Sequence, residues 1–200
     1  MDLQDFIENA RSCMNQGKYQ EAAAYLEEVA QAFPDDIDIW FNLGNCYHEL
    51  KRYGKAAEAF IEVASLSPGD WEDWMFAGSE IAALRDWKNA AECYEQAVRI
   101  KPDNSALLCR LGNIYCEMQE FERAMQWFDR ALAIDSQDLH SWFGKVECLG
   151  MLGRQNQSRE ALKNALSIEP QNAFDWFTRG YHLKRFNLFK DALEAFLSGL

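Results

Sequence analysis

The six cysteines are the first candidates for chemistry, since thiolates bind metals, act as nucleophiles and form disulfides. They are Cys13, Cys46, Cys93, Cys109, Cys116 and Cys148. No two of them have the C-x-x-C spacing of a metal or redox motif. Cys109 and Cys116 lie on one face of a predicted helix, but two helical turns separate them too far for an unstrained disulfide. We therefore interpret the cysteines as small apolar residues of helices.

The histidines and carboxylates give no catalytic pattern either. His48, His140 and His182 have no neighbours at metal-ligand spacing. The sequence contains no glycine-rich phosphate loop, no nucleophile elbow and no H-E-x-x-H motif. Its many carboxylates stand at helical positions that face solvent. The sequence thus predicts no catalytic residue, no metal and no cofactor, and the chain is not expected to be an enzyme.

Charge and hydropathy restrict the class of partner. The formal net charge is −12, and the acidic excess lies within positions 1–138, whereas the remainder is slightly basic. Such a charge disfavours nucleic acids and anionic membranes as partners. No apolar stretch approaches the roughly 18 residues of a membrane span, and the acidic start lacks the features of a signal peptide. A cytoplasmic location is expected.

The elements that would position any site recur at one fixed interval. Pro34, Pro68 and Pro102 are evenly spaced, Pro170 follows after two further intervals, and Ser136 fills the missing place. Because proline cannot continue a helix, each marks the end of a helical stretch. The interval predicts a single domain spanning 1–200, with repeats at 3–36, 37–70, 71–104, 105–138 and 139–172 and a truncated one at 173–200.

Each repeat contains a recurring pattern of large and small residues at helical spacing. In the second repeat it comprises Trp40, Leu43, Gly44, Tyr47, Ala56 and Phe60. In the fourth it comprises Leu111, Gly112, Tyr115, Ala124 and Phe128. This pattern resembles the tetratricopeptide signature W-x2-L-G-x2-Y followed by A-x3-F. The resemblance implies an all-α fold, an α-solenoid of tandem antiparallel helix pairs in a right-handed superhelix.

The fifth repeat departs from the pattern. Val146 stands where glycine is typical, and Ser158 replaces the small alanine. Glycine and alanine at these places let the two helices of a pair approach closely. We therefore expect Val146 to push its helix pair slightly apart.

The resemblance also implies a binding groove, because the first helix of each repeat lines the concave surface in this family. Two rows of residues at matching places in the second to sixth repeats, together with Arg185, should then face a partner. The predicted groove residues are Phe41, Asn45, Met75, Ser79, Cys109, Asn113, Phe143, Glu147, Phe177, Tyr181 and Arg185. A groove of this kind would bury apolar side chains and bond an extended peptide through its amides. Alternatively, the apolar row packs between neighbouring first helices.

The first helix of the last repeat differs from the others. It carries Phe174, Phe177 and Tyr181 together with Arg179 and Arg185. Aromatic residues and arginine are the usual make-up of binding hot spots, so an acidic, aromatic peptide is a candidate ligand. A solvated basic face beside ordinary core aromatics is the alternative.

The predicted function is therefore that of an adaptor or scaffold that binds another protein or peptide in its groove. A secretion-type or assembly chaperone and the targeting or regulatory arm of a longer enzyme are the alternatives. The C-terminal helix leaves Leu193, Phe196, Leu197 and Leu200 without an obvious cover. Either the natural chain continues beyond them or this end packs against another molecule, which includes self-association.

Overall fold

The structure is a computed structural model that describes residues 3–199, with side chains from Phe6 onward. That range folds into twelve α-helices without a β-strand. The helices are α1 (Leu3–Asn15), α2 (Tyr19–Ala32), α3 (Ile37–Glu49), α4 (Tyr53–Leu66), α5 (Trp71–Ala83), α6 (Trp87–Ile100), α7 (Ser105–Glu117), α8 (Phe121–Ile134), α9 (Leu139–Met151), α10 (Gln155–Ser167), α11 (Ala173–Arg185) and α12 (Phe189–Ser198). Each odd-numbered helix packs against the even-numbered helix that follows it after a short connection. The predicted fold class of tandem antiparallel helix pairs is confirmed.

The helix pairs group into two compact units. The first comprises Met1–Pro102, with helices α1 to α6, and the second comprises Asp103–Leu200, with α7 to α12. The division therefore falls between the third and fourth helix pairs.

Side-chain caps fix where the first helix of each pair begins. Asp36, Asp70, Asn104, Asp138 and Asn172 occupy the same place in successive repeats, and each accepts a hydrogen bond from a backbone N–H in the first turn of its helix. The distances run from 2.8 Å at Asp70 to 3.2 Å at Asp36, Asn104 and Asp138. Capping satisfies donors that have no partner inside the helix.

A left-handed residue ends the first helix of each pair. Positive φ values recur once per repeat, at Gly17, Lys51, Arg85, Gln119, Gly153 and Asn187. The next residue closes the turn with a backbone bond five residues back, such as Arg52 N to Tyr47 O at 2.8 Å and Glu120 N to Tyr115 O at 2.9 Å. This is the Schellman arrangement, in which glycine is preferred because other residues meet a steric penalty.

Aromatic rings fill the space that the signature glycines leave open. An ideal Cβ on Gly44 would lie 2.7 Å from the ring of Phe60, and one on Gly112 would lie 2.6 Å from the ring of Phe128. Phe128 is fully buried and its ring also lies against Gly144, so it forms a wedge between α7 and α9. The expected close approach is present, and in these two pairs the residue that meets the glycine is an aromatic ring one turn beyond the signature alanine.

Candidate protein-interaction site

In the first unit, four of the predicted groove residues lie on α3 and α5. Phe41 is 36% exposed, and its ring lies 5.8 Å from the ring of Phe76. Asn45, Met75 and Ser79 are half-buried. These four side chains therefore retain accessible surface.

Part of this row already has partners within the unit. The Ser79 hydroxyl lies 2.8 Å from the Tyr94 hydroxyl of α6, at hydrogen-bonding distance. Of the apolar side chains in this row, Phe41 and Met75 retain accessible surface, and we call these two the ridge.

In the second unit, the apolar members of the predicted groove on α7 and α9 lie in the core. Cys109 is 6% exposed and Phe143 is fully buried. The imidazole of His182, from α11, lies parallel to the Phe143 ring with 4.4 Å between ring centroids. Burial raises the pKa of the Cys109 thiol to about 12, so this thiol is neutral at physiological pH. Asn113 on α7 is exposed.

Helix α11 instead presents its large side chains to solvent. Phe174 is 67% exposed, Phe177 is 43% exposed and Tyr181 is 54% exposed, and the Arg185 side chain is 51% exposed. The spacing of three, four and four residues places all four on one side of the helix. We call these four residues the α11 face. It is the largest concentration of exposed aromatic surface on any first helix of the described chain.

Two histidines underlie the aromatic rings of the α11 face. The His140 ring lies 5.1 Å from that of Phe174, and the His182 ring meets Tyr181 edge to face at 5.3 Å. The guanidinium of Arg185 lies 5.8 Å from the centre of the Tyr181 ring. Rings held in this way lose little conformational freedom on binding, which favours affinity.

Glu147 of α9 fixes the position of Arg185. Its Oε1 lies 2.6 Å from a guanidinium nitrogen of Arg185 and 3.1 Å from Nδ1 of His182. The Glu147 side chain is only 24% exposed, so solvent screens the pair less than a fully exposed one. Since a guanidinium has five N–H donors, Arg185 keeps donors for a further carboxylate.

Arg179, which the sequence analysis grouped with the α11 aromatics, points away from the α11 face and contacts the end of α10. Its guanidinium donates hydrogen bonds to the backbone carbonyls of Leu166 and Ile168, the first at 3.2 Å. It also lies 5.4 Å from the centre of the Trp176 ring. Burial lowers the pKa of Arg179, but a guanidinium stays charged at physiological pH. Arg179 therefore stabilises the connection between α10 and α11 rather than enlarging the α11 face.

The described residues offer no alternative site for metal chemistry. Among them, no cluster of three or more histidine, cysteine, aspartate or glutamate side chains is arranged to hold a metal ion. No helix in this part of the chain combines the length and the apolar composition that a membrane crossing requires.

Repeated helix pairs that expose aromatic and charged side chains define the class of helical-repeat interaction proteins. Two models of the tetratricopeptide repeat family match the chain, over residues 7–70 and 82–144, and together they cover more than half of it. The chain belongs to the tetratricopeptide repeat family, whose members generally act as non-enzymatic modules that bind other proteins. A comparison with curated proteins finds no match.

Solved structures of MamA share this fold. One crystal structure of MamA protein is 17% identical, with a TM-score of 0.62, and the match covers 84% of this chain and 91% of that one. MamA from Desulfovibrio magneticus RS-1 is 18% identical, with a TM-score of 0.58 and coverage of 83% and 94%. MamA AMB-1 is 19% identical, with a TM-score of 0.57 and coverage of 82% and 96%. At this level of identity the likeness concerns the fold alone.

Proposed function

We propose that this protein is an interaction scaffold whose α11 face binds a short segment of another protein. The observation that carries the proposal is the exposure of Phe174, Phe177, Tyr181 and Arg185 along one side of α11. Aromatic residues and arginine dominate binding hot spots because they combine large contact area with directional bonding.

The dimensions of the α11 face indicate the size of the ligand. Phe174 and Arg185 are eleven residues apart, so they span about 17 Å at the rise of an α-helix. An extended peptide covers that distance with about five residues. An extended segment of about five residues is therefore long enough to contact the whole α11 face.

The charges of the site indicate the ligand's chemistry and direction. Arg185 lies at one end of the face and can bond a carboxylate with the donors that Glu147 leaves free. Phe174 and Phe177 lie at the other end and offer ring surface. The preferred segment thus has an acidic residue near Arg185 and an aromatic or large apolar residue about four positions away.

Selection from a phage-displayed library of random peptides tests this proposal with the intact chain. Selected sequences should contain an acidic residue and an aromatic residue at that spacing. Replacing Tyr181 or Arg185 by alanine should weaken the selected peptides at least about tenfold, the effect of a typical hot-spot residue. Lys184→Ala is the matched control, since Lys184 is an exposed cation on α11 outside the face.

The comparison of variants decides the site. Equal loss of binding in Lys184→Ala and Arg185→Ala would indicate a general charge effect. Unchanged binding in both Tyr181→Ala and Arg185→Ala would place the peptide elsewhere, and the ridge of Phe41 and Met75 in the first unit is the next candidate. Phe143 is unsuitable for this test because its side chain is fully buried, so its replacement would report on folding.

Self-association is a second candidate function, favoured by the surface of α12. Phe189, Leu193 and Leu197 are 61%, 59% and 61% exposed and stand four residues apart on one side of the helix. Leu200, which the sequence adds to this apolar surface, lies outside the described residues. The mass of the protein should then rise with concentration in light scattering, and Leu193→Glu with Leu197→Glu should keep it monomeric. A constant monomer mass in the unmodified protein would exclude this second function.

A further inference from the structure

The structure brings together two cysteines that the sequence analysis did not pair. Cys116 is on α7 and Cys148 is on α9, 32 residues apart, and their Sγ atoms are separated by 2.9 Å. Both thiols are free in this structure. Ordinary contact distances between non-bonded heavy atoms are longer, at about 3.5–4.0 Å for carbon, whereas a disulfide bond measures about 2.05 Å. The two sulfurs are thus closer than simple packing requires.

One of these thiols is within reach of a small reagent. Cys116 is half-buried, whereas Cys148 is fully covered. Both residues line a pocket of about 490 Å³ together with Glu147, Arg185 and Phe186. A pocket of this size accommodates a small molecule.

We propose that Cys116 and Cys148 form a reversible redox site that exchanges with low-molecular-weight disulfides of the glutathione class. The Cys116 thiolate attacks one sulfur of glutathione disulfide, forming a mixed disulfide and releasing one glutathione, which takes up the proton lost by Cys116. The Cys148 thiolate then attacks the Cys116 sulfur, and the second glutathione leaves with the proton lost by Cys148. Two thiols are oxidised to one disulfide, and one glutathione disulfide is reduced to two glutathiones.

The surroundings of the pair set its rate and its persistence. The contact with Cys148, followed by burial, raises the pKa of the Cys116 thiol. Cys116 is therefore protonated at neutral pH, which makes the first attack slow. A thiol of high pKa is also a poor leaving group, so thiols reduce the intramolecular disulfide only slowly once it has formed. Slow formation and slow release suit a long-lived modification rather than a catalytic dithiol.

The bond would connect the first helices of two consecutive pairs. Helices α7 and α9 already pack against each other around the Phe128 wedge. A cross-link 32 residues apart removes conformational freedom from the unfolded chain, which for a loop of this length raises the melting temperature by about 10 °C. Glu147 adjoins Cys148 and holds Arg185, so the bond would also stiffen the base of the α11 face.

Incubation of the folded protein with glutathione disulfide tests the proposal. Intact mass should fall by about 2 Da as two hydrogens are lost, and digestion without reduction should yield one cross-linked peptide pair containing Cys116 and Cys148. The melting temperature should rise by about 10 °C and return after reduction with dithiothreitol. Cys116→Ser and Cys148→Ser should each abolish the rise, and Cys93→Ser, which removes a buried thiol in the other unit, should not.

Two results would overturn the proposal of a redox site. A persistent glutathione adduct on Cys116, with Cys148 unreacted, would show that the second attack does not occur. Oxidation that appears only in denaturant would show that the pair is inert in the folded protein. Peptide mapping on the unmodified chain decides both points, so the proposal stays testable even where a serine variant folds poorly.

Discussion

Replacing Gly112 by alanine tests how the helix pairs approach each other. Alanine is favoured over glycine in a helix interior by about 1 kcal/mol, so an unobstructed position would become more stable. At Gly112 the new Cβ would lie 2.6 Å from Cε1 and 2.8 Å from Cδ1 of the Phe128 ring. That ring cannot move away, since it is fully buried and Gly144 lies against it as well.

The magnitude follows from these two opposing effects. Overpacking of a well-packed core costs about 1–3 kcal/mol, and the helix propensity of alanine offsets about 1 kcal/mol of it. We expect Gly112→Ala to lower the free energy of unfolding by up to about 2 kcal/mol. Gly150→Ala is the matched control, because it lies in α9 and its nearest neighbour, Ser158 Oγ, is 4.0 Å from the added Cβ. This control should raise the free energy of unfolding by about 0.5–1 kcal/mol.

Urea denaturation followed by circular dichroism measures both variants. The two substitutions should change stability in opposite directions, and Gly112→Ala in a Phe128→Leu background should lose its penalty. A Gly112→Ala protein that gains as much stability as the Gly150→Ala control would refute the wedge, since it would show that the Phe128 ring has room to move.

Three further predictions concern caps, turns and titration. Asp138→Ala should destabilise the second unit by about 1–2 kcal/mol, because Asp138 accepts hydrogen bonds from the backbone N–H groups of His140 and Ser141 at 3.2 Å; a urea midpoint equal to that of the unmodified chain would contradict this. Lys51→Gly should stabilise the protein by about 0.5–1 kcal/mol, because Lys51 has a φ of 57°. Gly153→Ala, at the equivalent turn of another repeat, should destabilise it. Thermal melts measure both variants. Burial lowers the pKa of His140 below its ordinary 6.5. The unfolded chain therefore binds more protons than the folded chain just below pH 6.5. The free energy of unfolding should fall as pH falls from 6.5 toward the folded pKa, by at most about 1.4 kcal/mol per pH unit. His140→Gln should flatten that part of the stability profile, and unchanged slopes in denaturant titrations from about pH 5 to 7 would contradict it.

The helix pairs could be predicted from sequence because their signals are local. Proline or serine at the end of each repeat is followed two residues later by Asp36, Asp70, Asn104, Asp138 or Asn172, and each of these caps a helix. A cap and a breaker depend only on nearby backbone groups. The left-handed turn residues were not predicted, since Lys51, Arg85 and Gln119 are not glycine and carry no turn signal of their own.

The accessibility of the groove row could not be predicted, because it depends on the neighbouring repeat. Phe143 and Phe177 occupy the same repeat position, yet the first is fully buried and the second is 43% exposed. The difference arises because the His182 ring of α11 covers Phe143. His182 belongs to no motif in the sequence, and its contact with Glu147 becomes recognisable only when the two helices are seen side by side.

The effect of a departure from the repeat pattern could not be predicted from one position when a second departure lies opposite it. Val146 occupies the glycine place of the fifth repeat, and Leu162 occupies the place held by Phe60 and Phe128 in other repeats. Val146 is 1% exposed in a cluster with Leu149 and Ala161, and Leu162 packs against it. A larger residue on one helix thus faces a smaller one on the other, which conserves volume. The expectation that Val146 pushes its helix pair apart took account of Val146 but not of Leu162, and it stays a prediction.

The most direct test of the account is a charge exchange between Arg185 and a selected peptide, measured by isothermal titration calorimetry. Arg185→Glu should weaken an acidic, aromatic peptide at least about tenfold. Replacing the acidic residue of that peptide by lysine should restore binding to the Arg185→Glu protein, where Glu147 adds a second carboxylate. The lysine peptide should not bind the unmodified chain more tightly than the acidic peptide does. Equal affinities across all four combinations would contradict recognition by the α11 face.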